Sequence, residues 1–244
     1  MKRGADEVGL LLIDGYDVLG VTTQIEDNLE ALLQETMPFG ASWAEQAFTG
    51  LKKASLSQEG FYDDASNSSN TALSGQQGIN RLLCYGIQGN VIGQHFIGYS
   101  GAMQVNYSRI AARGEIHRAN ASYEGSGEVE EGLILHHHVA RTADGDTEDT
   151  PVDNGAASAD GGSAYLQVSA LTLDGYDNIV IKIRQSADGE VWEDLTSFTA
   201  ITVAPAKERK VLTGAVKQYL AVSWAFTGTG SDPSVKFFVG FKRN

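Results

Sequence analysis

One cysteine in 244 residues, Cys84, leaves no intrachain disulfide and no thiolate cluster for a metal. Its apolar neighbours mark it as a buried small hydrophobe, and a reducing cytoplasm suits such a chain. No run reaches the roughly 18 apolar residues that a membrane-spanning helix requires. The apolar stretch in MKRGADEVGLLLIDG is broken early at Asp14 and has no small-residue cleavage site, so a first β-strand is expected there rather than a signal peptide. Helix formers are sparse while glycine is abundant, at 28 residues, and turn dipeptides recur, which favours an all-β protein.

Catalytic groupings are missing too. No G-x-S-x-G elbow occurs. The run Gly86–Gly93 (GIQGNVIG) has neither a following helix nor a Lys-Ser/Thr pair and reads as a turn, not a phosphate loop. Asp144, Asp146, Glu148 and Asp149 offer hard oxygen ligands but lack EF-hand spacing, so a solvated acidic stretch is expected. The acid pairs Asp63–Asp64 and Glu130–Glu131 are sequence neighbours near turns. His136, His137 and His138 would point alternately to opposite faces of a strand and cannot converge on one ion; a strand end entering a linker is expected. Hence no catalytic residue, cofactor site or metal site is expected, and the chain is not expected to be an enzyme.

The net charge of −13 is unevenly placed. From Ala164 to Asn244 nine Lys/Arg face eight Asp/Glu, a net of +1; residues 1–163 then hold nine against twenty-three, a net of −14. Residues 141–162 between them (RTADGDTEDTPVDNGAASADGG) have linker composition. Two domains are therefore expected, 1–140 and 163–244, joined by an acidic linker over 141–162. An acidic first domain is a poor ligand for nucleic acid, whose phosphates call for Lys and Arg. Like charge would also lower the adhesion of DNA to a channel wall, although solubility alone explains the same composition.

Period-two patterning is clear in the first half. Tyr99, Gly101, Met103, Val105 and Tyr107 share an apolar or small parity, with Ser100, Gln104, Asn106 and Ser108 on the other. Ala119, Ala121, Tyr123 and Val129 likewise oppose Arg118, Asn120, Ser122, Glu124, Ser126 and Glu128, with Gly125 and Gly127 expected to bend or bulge the strand. Ile25, Leu29, Leu32 and Leu33 instead fall at helical spacing, so propensity predicts a helix over Asp27–Gln34. A second short helix is predicted from Ser69 to Gly75.

The second half reads as a small antiparallel β-sandwich. Its inward positions are Leu166, Val168, Ala170; Ile179, Ile181, Ile183; Leu220, Val222, Trp224, Phe226; and Val235, Phe237, Val239, Phe241. Tyr165, Tyr176, Trp192 and Tyr219 lie at turns or on the opposite parity and are expected to be exposed, for packing against a neighbour or for holding sugar.

One stretch supports a more specific reading. ETMPFGASWAEQAFTGLKKASLSQEGFYDD (Glu35–Asp64), continued by residues 74–132, resembles the tail tube proteins of long, non-contractile-tailed bacteriophages. It carries that family's Thr-x-x-Phe-Gly turn at Thr36–Gly40, a Gly-Leu step at Gly50 and Leu51 opening a second strand, and a Gly-Phe-Tyr-Asp corner at Gly60–Asp63. The resemblance implies a tail-tube β-barrel or sandwich domain, here followed by a C-terminal Ig-like sandwich, with an extended arm where propensity favours helix. It implies homo-hexameric rings stacked into a tube in the virion tail, assembled in the bacterial host cytoplasm. Implied partners are the tape measure, terminator and distal tail proteins and DNA passing without specific binding, with no membrane. Subunit contacts are expected from Gln24, Ile25, Glu26, Asp27, Leu29, Leu32, Leu33, Phe39 and Trp43, and from Met1–Glu7. Glu124 and Glu128 are candidates for a lumen wall, and the C-terminal sandwich is expected to be a dispensable appendage. The alternatives are a decoration or tail adhesion protein binding host carbohydrate through that sandwich, and, with little support, a virion-borne cell-wall hydrolase.

Overall fold

The structure is a computed structural model that describes residues 8–36, 45–65 and 68–244; side chains of 34–36 and 45–50 are not described. It is all-β, with antiparallel pairing throughout the described strands. The first half runs β1 (Leu10–Ile13), β2 (Tyr16–Asp17), a 3-10 turn (Leu19–Val21), β3 (Thr22–Thr36), β4 (Glu45–Phe61), α1 (Ser69–Leu73), β5 (Asn80–Gly86), β6 (His95–Ile110), β7 (Arg118–Gly125) and β8 (Val129–Arg141). The second runs β9 (Gly145–Asp146), β10 (Val152–Asp153), β11 (Gly162–Thr172), β12 (Tyr176–Ser186), β13 (Trp192–Ser197), β14 (Ala206–Leu212), β15 (Tyr219–Gly228) and β16 (Ser234–Arg243).

Eleven of the described strands form one sheet in the order β14-β11-β16-β8-β6-β5-β1-β2, with β7, β4 and β3 continuing from β6. The other five form a second sheet, β10-β15-β12-β13 with β9 on β15. The sandwich core lies between the sheets, where Ile179, Ile181, Ile183, Val222 and Trp224 meet Leu166, Val168, Phe237 and Val239. A second core, containing Leu11, Ile13, Leu56, Leu73, Tyr99 and Tyr123, fills the first half. A third joins them: Leu10, Leu12, Leu82, Cys84, Phe96 and Ile134 pack against Tyr165 and Phe238 of the second half. Cys84 is buried there, and burial pushes its thiol pKa up to about 12.

The predicted helix at Asp27–Gln34 is part of β3. Its 15 residues find a partner in β4 along nearly their whole length, and that tertiary pairing overrides local propensity. Gly50–Leu51 does not open a strand: β4 runs continuously through it, with the register slipping between the pairs Ala31↔Lys52 and Leu33↔Phe48. The short helix predicted from Ser69 forms over Ser69–Leu73 and buries Ala72 and Leu73. The Thr36–Gly40 turn, Phe39, Trp43 and Met1–Glu7 lie outside the described residues or, for Thr36, the described side chains.

Two parities expected from alternation are overturned by β-bulges. In β6 the register moves from Tyr99↔Leu83 to Ala102↔Arg81, one extra residue that reverses the side chains beyond it until a second shift between Gln104 and Asn106 returns Tyr107 to the core side. Gln104 is therefore buried, donating to Leu73 O at 2.7 Å and accepting from Arg81 Nη1 at 3.1 Å, while Met103 and Val105 are exposed. A bulge between Val168 and Ala170 similarly turns Ala170 outward and brings Leu171 against the core.

The expected linker over 141–162 is tied into the sandwich. β9 and β10 pair with β15, Asp144 Oδ1 accepts from Phe226 N at 2.8 Å, and Thr147 Oγ1 accepts from Val222 N at 2.9 Å. The polar residues that give it linker composition satisfy the edge of β15 instead. The halves also share hydrogen-bonded backbone, since β8 pairs with β16 from Arg141↔Val235 to Leu133↔Phe241.

Candidate functional site

Directly opposed residues of antiparallel strands point to the same side, so the register of β3-β4-β7-β6 assigns its two faces. Toward the core lie Asp27, Leu56, Tyr123 and Gln104 in one row, and Ile25, Gln58, Ala121 and Tyr107 in the next. The outer face reads Asn28, Ser55, Glu124, Met103; then Glu26, Ser57, Ser122, Asn106; then Gln24, Glu59, Asn120, Ser108. These twelve positions hold three carboxylates, eight uncharged polar side chains and one large apolar side chain, with no Lys or Arg among them. The period-two run Ser55, Ser57, Glu59 was the signal for this face within β4. Lys53, one row beyond, meets Glu124 at 3.3 Å.

The sequence-expected contact residues divide. Gln24 and Glu26 belong to the outer face. Ile25 packs against the chain's own core, and Asp27 accepts hydrogen bonds from the hydroxyls of Tyr85 and Tyr99. Burial, and then the Asp27 carboxylate, push both tyrosine pKa values far above the ordinary phenol range, holding them as donors. Leu29 and Leu33 are each 54% exposed, and Leu32 is exposed as well. They lie where β3 and β4 have left the sheet, because β4 contacts β7 only over Ser55–Phe61. The hairpin beyond Ser55 thus projects as a two-stranded arm. Glu124 is on the outer face, but Glu128 is in the β7–β8 turn, where it lines a cleft of about 580 Å³ with Leu29, Lys52, Lys53 and Lys242.

Other groups that invite a chemical reading serve structure. His136 stacks on Phe237 at 4.0 Å and accepts from Arg141 Nε at 3.0 Å; burial, then Arg141, lower its pKa to about 3. His138 Nε2 is 2.7 Å from Ser169 Oγ and its Nδ1 is 3.5 Å from Asp17, which also binds Lys236 at 3.1 Å. The imidazole is buried beneath β2, and burial lowers its pKa to about 4. The histidine run is therefore interior to a paired strand rather than at a strand end. Among the described residues no group of three or more His, Cys, Asp or Glu is placed to hold a metal. Tyr165, expected to be exposed, is fully buried: it donates to Glu130, which also accepts from Ser163 Oγ at 2.8 Å and Arg209 Nη2 at 2.9 Å.

No family model matches the chain, and no curated protein matches it. Similar solved structures exist. A chain from the tail of an empty gene transfer agent particle, refined helically with C6 symmetry, is 12% identical over 52% of this chain and 97% of its own, with a TM-score of 0.40. A chain from the virion of the native gene transfer agent particle is 12% identical over 53% and 98%, with a TM-score of 0.43. The SPP1 Dit (gp 19.1) protein, described as a paradigm of hub adsorption apparatus in phages infecting Gram-positive hosts, is 10% identical over 96% and 98%, with a TM-score of 0.36. At such identities and scores these likenesses do not bear on what this chain does.

Proposed function

We propose that the chain is a structural tail tube subunit of a long-tailed phage-like particle. Its copies close into rings, six to a ring as the sequence resemblance implies, and the outer face of β3-β4-β7-β6 lines a channel through which DNA passes. The observation carrying this reading is that face: Glu26, Glu59 and Glu124 amid serine, asparagine and glutamine over three rows that hold no cation, with Lys53 one row beyond paired to Glu124 and Arg118 in the row at the other end. Over those three rows the wall repels phosphate and offers it no Lys or Arg to hold.

Two further features fit. The edge of β3 away from β4 has no partner strand among the described residues, and at 15 residues it extends about 50 Å. An edge of that length is an aggregation hazard in a monomer and a ready contact in a ring. The arm exposes Leu29 and Leu33 on a two-stranded ribbon that is marginal in water unless it packs on something. Negative-stain microscopy of the purified full chain should show rings or hollow tubes; discrete monomers at high concentration would overturn the reading. The adhesion alternative draws on one row of the sandwich, in which Trp192 and Tyr219 flank Ser186 across β13-β12-β15. It would gain if the chain stayed discrete and bound host polysaccharide.

A further inference from the structure

Three strands bring a serine, a histidine and an aspartate into one line. Ser169 of β11, half-buried, holds its Oγ 2.7 Å from His138 Nε2. His138 of β8 turns its Nδ1 toward Asp17 of β2, whose Oδ2 is 3.5 Å away. Asn90 pins the backbone of His138, accepting from its N at 2.7 Å and donating to its O at 3.2 Å. Asp17 is held in turn, accepting from Leu19 N at 3.3 Å and from Lys236 Nζ at 3.1 Å.

Ser169 owes its position to the bulge in β11. It is the extra residue between Val168, opposite Phe237, and Ala170, opposite Lys236. A bulge re-aims a side chain in this way. The order of the line is that of a nucleophile, a base and a group that orients the base. The Asp17 carboxylate favours the proton on Nδ1 and leaves the Nε2 lone pair to accept from the hydroxyl. Burial keeps the ring neutral at pH 7 by lowering its pKa to about 4. So weak a base suits only acyl groups with good leaving groups. Lys236 brings a cation to the same place, since its ammonium shares Asp17 with His138.

We propose that Ser169 is a reactive nucleophile that takes the acyl group of small activated esters, with His138 as its base and Asp17 as the positioning residue. Ser169 Oγ bonds to the ester carbonyl carbon while its proton passes to His138 Nε2. The alkoxide then leaves with that proton, giving acyl-Ser169 and the free alcohol. A fluorophosphonate follows the same course: an Oγ–P bond forms, the P–F bond breaks, and fluoride leaves with the proton. This site goes beyond the tube reading and does not depend on it, because all three residues belong to one chain.

The test exposes the full chain to an alkyl fluorophosphonate at pH 7 and locates the adduct by peptide mass mapping. One phosphonyl group should appear at Ser169, formed about 100-fold or more faster than at any other serine. Unfolding in urea should abolish that preference, because only the fold assembles the line. p-Nitrophenyl acetate should release a burst of p-nitrophenol, about one per chain, that Ser169→Ala lacks. Asp17→Asn should slow labelling about tenfold or more, with circular dichroism showing that the variant still folds. The proposal is overturned if Ser169 stays unlabelled in the folded chain, if the label spreads over exposed serines, or if no burst appears. It is also overturned if Asp17→Asn reacts at the wild-type rate. The label is read on a single chain, so the outcome holds whether or not microscopy shows tubes.

Discussion

The Tyr99 hydroxyl, from the middle of β6, donates to the Asp27 carboxylate at the root of the arm, and Tyr85 of β5 donates to the same group. One carboxylate on β3 thereby ties the arm to both strands beneath it. Asp27→Ala leaves the Tyr85 hydroxyl without its acceptor and Tyr99 with only the Ser55 carbonyl at 3.4 Å, and should cost about 1–3 kcal/mol in urea unfolding. Tyr85→Phe alone should cost less, because Asp27 keeps Tyr99. Equal costs for the two variants would show that the second tyrosine does not sustain the clamp.

Beyond Asp27 the arm should be dispensable for folding and needed for assembly. Leu29→Asp with Leu33→Asp replaces two exposed side chains, so the circular dichroism spectrum and Tm should change little while polymerisation is lost. Normal tubes from this variant would show that the arm makes no intersubunit contact.

The C-terminal half should not be removable. Truncation after Asp144 deletes Tyr165 and Phe238, whose rings meet Phe96 at 5.5 and 5.3 Å, and β16, the partner of β8. At about 1.5–3 kcal/mol for each large apolar side chain exposed, the truncated chain should be insoluble or lack a cooperative thermal transition. A soluble, cooperatively folding fragment that still polymerised would restore the independent appendage expected from composition. Within the full chain, Glu130→Ala should cost about 1.5–3 kcal/mol, since Tyr165 and Arg209 lose a charged acceptor.

Wall charge can be reversed on the outer face. Tubes assembled from chains with Glu59→Lys and Glu124→Lys should retain duplex DNA at low salt, where wild-type tubes do not. Retention should weaken as salt rises, because phosphate contacts carry that dependence. Equal retention at low salt would place these carboxylates away from the channel.

Acid should weaken the fold through His136 and His138. Burial depresses their folded pKa values from 6.5 to about 3 and about 4, so below pH 6.5 the unfolded chain binds protons that the folded chain refuses. Their contribution is complete above about pH 6.5 and is lost as pH falls toward 4 and then 3. The slope is at most about 1.4 kcal/mol per pH unit for each histidine. Urea midpoints between pH 7 and 5 should fall for the wild type and fall less for His136→Phe; identical slopes would remove His136 from the account.

Where alternation is unbroken, the sequence alone determined the outcome. Ala119, Ala121 and Tyr123 face inward as their spacing requires, and Ile179, Ile181, Ile183, Val222 and Phe237 form the sandwich core. That legibility is local, because a strand's side-chain period depends only on its own backbone. The tertiary structure decided what depends on a partner. Bulges in β6 and β11 reversed the parity of Gln104 and Ala170, each set by fit to a distant strand. Pairing with β4 made Asp27–Gln34 a strand despite its helical spacing. The union of the halves through β8 and β16 and the burial of Tyr165 join residues remote in sequence. A local period carries no information about them, because it is the approach of other strands that fixes which face is dry.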